Sequence, residues 1–70
     1  MSVLRKLKTD ADFQAAVDKE SLIRVFLHNQ IVEHRAIIVR FDEQKIITQS
    51  NISDLMYHDR SECEFFLLKS

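Results

Sequence analysis

The side chains able to do chemistry are few: His28, His34 and His58, one thiol at Cys63, and the carboxylates near them. His58-Asp59 with Cys63 four residues further on is too sparse for a zinc set, which needs closely spaced pairs of ligands. With no glycine there is no phosphate-cradling loop and no nucleophile elbow, and no pair of carboxylates stands in environments that could be argued apart. No enzyme, cofactor or metal is expected, and Cys63, at the head of an apolar run, reads as an inert buried thiol.

Nucleic acid is the remaining chemistry. Ten basic against eleven acidic residues give a formal net charge of −1, which excludes a strong nonspecific phosphate binder. A site read by base stacking stays open, because a phenyl face stacks on any base for about 1–3 kcal/mol. Taken alone, a strand aromatic such as Phe26 is more often packing than platform. Arg5, Lys6 and Lys8 form a small basic cluster, and Arg24, Arg35, Arg40 and Arg60 are scattered along the chain.

These residues need a scaffold. The 70 residues suit one domain, with 46% apolar residues for a core and 30% charged residues for solubility. Cys63 is the only cysteine, so no intrachain bridge forms and the disulfide-rich secreted class is excluded; a cytoplasmic location is expected. Neither an export signal nor an apolar run near the ~20 residues of a membrane span is visible.

Residues 1–8 read as a flexible lead and residues 9–70 as the single domain. Thr9 can cap a helix with Asp10 and Asp12 in its first turn, and Phe13, Ala16 and Val17 recur at i, i+3 and i+4 up to Lys19. From Leu22 the period is two: Ile23, Val25 and Leu27 point one way, Arg24, Phe26 and His28 the other. Asn29-Gln30 makes a turn, Ile31–Phe41 a long strand that bends near Ala36-Ile37-Ile38-Val39, and Asp42-Glu43-Gln44 a break. Strands follow at Lys45–Thr48, Ile52–His58 and Cys63–Leu68. The expected class is mainly β (α+β): a short helix, then a five-stranded, strongly bent antiparallel sheet forming a small open barrel.

With neither glycine nor proline, the turns must rest on Asn, Asp, Ser and Gln. A last strand carrying Phe65-Phe66-Leu67-Leu68 would template aggregation if left on an open edge. Pairing with a second copy answers that hazard and supports a small core, so a homo-oligomer is expected.

The order of elements, together with Phe13, Val25-Phe26-Leu27-His28-Asn29, Phe41-Asp42 and Tyr57, resembles the Sm-like family, in particular its bacterial Hfq branch. The likeness spans roughly residues 9–63. Gln30 and Ala36 stand where that family has glycines, and His58-Asp59 where it has Lys-His. The resemblance implies a ring, taken as a hexamer, in which the fourth strand of one copy pairs with the fifth of the next. It also implies post-transcriptional work on single-stranded RNA. The uridine-binding face would fall on Gln44, His58 and Asp59, with the anion opposing phosphate and His58 improving binding on acidification. The purine-binding face would fall on Phe26, Leu27, Asn29 and Ile31, so A-rich RNA is favoured over U-rich. The alternative expectation is an Sm-like protein-interaction or assembly module that has lost RNA binding.

Overall fold

The computed structural model describes residues 5–50 and 55–68. Seven elements follow one another: β1 (Arg5–Lys6), α1 (Asp10–Lys19), β2 (Leu22–Leu27), β3 (Gln30–Phe41), β4 (Lys45–Gln49), β5 (Met56–Asp59) and β6 (Cys63–Leu67). The protein is mainly β, and its strands form one antiparallel sheet in the order β1-β6-β2-β3-β4-β5. Among the described residues no helix is long and apolar enough to cross a membrane.

α1 starts where the cap chemistry places it. Thr9 Oγ1 accepts from the Asp12 backbone N–H at 3.1 Å while the Asp12 carboxylate accepts from Thr9 N at 3.1 Å and Lys8 N at 2.9 Å, a capping box with Asp in the usual Glu position. The helix ends at Glu20, whose left-handed backbone (φ 50°) lets Glu20 N and Ser21 N reach the carbonyls of Val17 and Ala16. Its apolar stripe, Phe13 and Ala16, closes over the sheet.

β3 controls the curvature. Its pairing with β2 runs Ile31 to Phe26, Glu33 to Val25 and Ala36 to Ile23, so β3 gains a residue twice over this stretch. Against β4 the register jumps again between Ile38 and Arg40. Extra residues bend a strand and raise its twist, and here they do so without glycine. The sheet curls until the His58 ring of β5 meets the Phe65 ring of β6 edge-on, centroids 6.0 Å apart. Yet β5 and β6 share no ladder, so the sheet does not close.

The core gathers Leu7, Phe13, Ala16, Ile23, Val25, Ile38, Ile46 and Phe65. Several features of the fold depart from the sequence reading. Residues 5–8 are built in rather than loose: Arg5 and Lys6 pair with Leu67 and Phe66, and Leu7 is buried. The sheet therefore has six strands, and the apolar last strand lies inside it between β1 and β2 rather than at an edge. The first hairpin turns at His28-Asn29, one residue earlier than expected, with Leu27 opposite Gln30. Both turn residues have positive φ, the two-residue geometry whose twist matches that of the strands. Of the strand expected over Ile52–His58, Met56–His58 are strand, Leu55 is not, and residues 52–54 lie outside the described residues.

Candidate functional site

Alternation along β2 and β6 sends Val25 and Phe65 into the core and Phe26 and Phe66 to the opposite face. These two rings, on adjacent strands, meet edge to face with centroids 5.4 Å apart and planes at 84°. Both remain half-buried. Ile31, 42% exposed, is the cross-strand partner of Phe26 on the β3 side. Arg24 is opposite Phe66, and its Nε donates to the His34 carbonyl at 3.2 Å. Lys6 flanks the far side of Phe66 and pairs with Glu64 at 3.1 Å. The result is an apolar, aromatic patch bordered by two cations and one anion, suited to stacking a planar ring.

The six residues singled out from the sequence do not form one surface. Phe26 and Ile31 are neighbours. Leu27 instead lines a groove with Val32, Met56, Tyr57 and Cys63, running between β5 and the β2–β6 side of the curled sheet. Asn29 is exposed in the hairpin turn. Gln44 is exposed in the β3–β4 turn, where its carbonyl accepts from Arg60 N at 2.8 Å.

His58 requires a correction. It is 5% exposed and faces the interior, where Nε2 lies 2.8 Å from Glu33 Oε1 and 3.1 Å from Thr48 Oγ1, while Thr48 Oγ1 also donates to Glu33 Oε1. The imidazole thus presents little surface to a ligand, although His58 also lines the groove of Leu27, Met56 and Tyr57. Alternation within β5 sends Tyr57 and Asp59 outward and His58 inward, while Met56, on the same face as His58, remains 40% exposed.

The buried trio Glu33, Thr48 and His58 escaped the sequence reading. Its Thr48 hydroxyl is fully buried and lies within hydrogen-bond distance of both polar neighbours, which also contact one another. Simple alternation would turn Val32 inward and Glu33 outward; the extra residues of β3 reverse this, leaving Val32 41% exposed and Glu33 at 9%. Phe66 also lies outside the residues singled out from the sequence: adjacent Phe65 and Phe66 must face opposite ways, but nothing local tells that β6 lies beside β2.

Two further candidates are absorbed by the fold. Arg60 donates to the Asp42 carbonyl at 2.8 Å and to Asp10 Oδ1 at 2.6 Å, with its guanidinium 4.8 Å from the Phe13 centroid. Cys63 is partly buried, and desolvation, aided by the charge of Asp59, raises its thiol above the ordinary value and keeps it a poor nucleophile. Among the described residues no three His, Cys, Asp or Glu side chains are grouped to hold a metal ion. The chain matches no family model, no curated protein and no solved structure.

Proposed function

We propose that the protein is an Sm-like RNA-binding module that associates strand to strand with copies of itself and takes A-rich single-stranded RNA on the outer face of β2 and β6. The observation that carries this reading is the half-exposed Phe26, flanked by Ile31 and Phe66, with Arg24 and Lys6 at the border. The near-neutral chain has little to offer the phosphate backbone, so stacking supplies most of the affinity. Asn29, exposed in the hairpin turn that follows β2, would supply a hydrogen bond to a base edge; Gln44 lies at another turn and His58 is buried, so neither enters this reading. Self-association rests on β5, the fourth strand after the helix, whose outer side is unpaired among the described residues.

A second reading, a protein-assembly module without RNA, is favoured by the exposure of Leu55, Met56 and Tyr57 (40, 40 and 59%) beside that same edge. Fluorescence anisotropy against A-rich and U-rich oligonucleotides, at low and physiological salt, separates the two. The RNA reading expects an A-rich preference that survives salt, and a loss in Phe26→Ala matching about 1–3 kcal/mol of stacking. Equal binding by folded Phe26→Ala and wild type removes it; binding to neither RNA leaves the assembly module.

A further inference from the structure

The two rims of the sheet are built differently. At one, β5 offers the outer side of Met56–Asp59 with no strand against it among the described residues. The other rim is covered along only part of its length. β1 lies against β6 at Phe66 and Leu67, and Leu7 N donates to the Phe65 carbonyl at 2.8 Å. Beside them, no strand covers the outer side of Cys63 and Glu64 among the described residues.

The cover is short. Arg5 and Lys6 are exposed and held by ion pairs to Asp12 (3.4 Å) and Glu64 (3.1 Å), pairs that contribute little in water. Leu7 is the anchor, 5% exposed in the core. Being part of the same chain gives β1 a high effective concentration at the β6 edge. A second copy's β5 brings four strand residues, Met56–Asp59, against the two of β1.

We propose that β1 is an exchangeable cover on an assembly edge: the β5 strand of a second copy enters at the open Cys63–Glu64 half of β6 and displaces Arg5 and Lys6 from Phe66 and Leu67. The idea rests on the strand-to-strand association proposed above and adds its control. Free chains keep the apolar end of β6 covered by their own β1, so the aggregation hazard of that strand is masked until a matching β5 arrives. Anything that holds β1 in place holds the protein as single chains.

The test locks the cover. Arg5 and Leu67 are directly opposed, and the Cα spacing of such antiparallel pairs suits a disulfide. A chain carrying Arg5→Cys, Leu67→Cys and Cys63→Ser is weighed by light scattering and sedimentation, oxidised and reduced, without RNA. Arg5→Pro is weighed beside wild type: Leu7 N bonds to Phe65, so alternation makes Arg5–Leu67 the next hydrogen-bonded pair, and proline there removes an N–H that faces β6. The reduced triple variant should assemble and its oxidised form stay single at concentrations at least about tenfold higher, while Arg5→Pro assembles at about tenfold lower concentration than wild type. Equal assembly of the oxidised and reduced forms overturns the cover and leaves association standing. Single chains throughout, in wild type, Arg5→Pro and the reduced form alike, overturn association and the cover together. Neither outcome touches the stacking test at Phe26, which is read by RNA binding alone.

Discussion

The imidazole of His58 and the carboxylate of Glu33 meet at 2.8 Å across an intervening strand, β4, whose Thr48 contacts both. Their side chains are 5% and 7% exposed. The contact stitches β5 to β3 in a sheet that no ladder closes. Removing one partner leaves the other buried and unmatched, at about 3–5 kcal/mol. The whole stability of a 70-residue chain is roughly 4–10 kcal/mol, so His58→Ala should lose much of its folded population, read by urea unfolding. A matched apolar replacement, Glu33→Met with His58→Leu, should be less damaging than His58→Ala alone. A double variant as unstable as His58→Ala would show that the cluster contributes net stability.

Arg60 joins two segments that sequence keeps apart from it and from each other: α1, through Asp10 and the Phe13 ring, and the β3–β4 turn, through the Asp42 carbonyl. Asp10 is 76% exposed, so the ion pair itself adds little. The carbonyl bond and the guanidinium over the ring supply most of the effect. Arg60→Ala should cost about 1–2 kcal/mol. Arg60→Lys should recover only a minor part, because a point charge cannot reproduce the fork. Thermal unfolding of the three proteins checks this; a lysine variant as stable as wild type would reduce Arg60 to a mere charge.

Legibility followed local chemistry. The helix was readable from Thr9 to Lys19 because its cap, its acidic first turn and its apolar stripe are all local signals. β2 was readable because Ile23 and Val25 alternate with Arg24 and Phe26. β3 was readable as a strand but not in its facing: alternation carries through only where register is unbroken, and its extra residues hide the inward turn of Glu33. His58 shows the same limit, since its partners Glu33 and Thr48 come from other strands and no spacing within β5 announces them. β1 is two residues long, too short for any period, and owes its place to the buried Leu7 beside it. The stacking face was half legible: Phe26 and Ile31 were found, while Phe66 required knowing that β6 lies beside β2.

Acid should weaken the fold through two carboxyls with lowered pKa values. Asp12 is held below its ordinary 3.8 first by the Lys8 backbone N–H and then by that of Thr9; Asp42 is held there by the N–H groups of Lys45 and then Gln44. A group lowered in the folded state contributes stability that is whole above its unfolded value and is lost as pH falls through the folded one. The urea midpoint should therefore fall between about pH 5 and pH 2, and Asp12→Asn or Asp42→Asn should flatten that fall. Both groups are exposed to solvent, so salt should blunt the effect. A variant with an unchanged acid slope would show that its carboxyl is not among the responsible groups.

Glycine is absent from the chain, yet among the described residues three hold positive φ: Glu20 at 50°, His28 at 53° and Asn29 at 66°. Asn tolerates this region best, so Asn29→Gly should change stability little. Glu20 is the costly position: a branched-out side chain in the left-handed well, carrying a negative charge at the carbonyl end of α1, where the helix dipole disfavours it. Its side chain is exposed, so nothing packed is lost on replacement. Glu20→Gly should stabilise the protein by about 0.5–1 kcal/mol, after the added freedom of the unfolded chain is counted. For a domain of this size that is a rise of roughly 2–8 °C in Tm. Calorimetry of Glu20→Gly, His28→Asn and Asn29→Gly should give gains in the order Glu20, His28, Asn29. A loss at Glu20 would mean that the side chain, rather than its backbone, is what ends the helix.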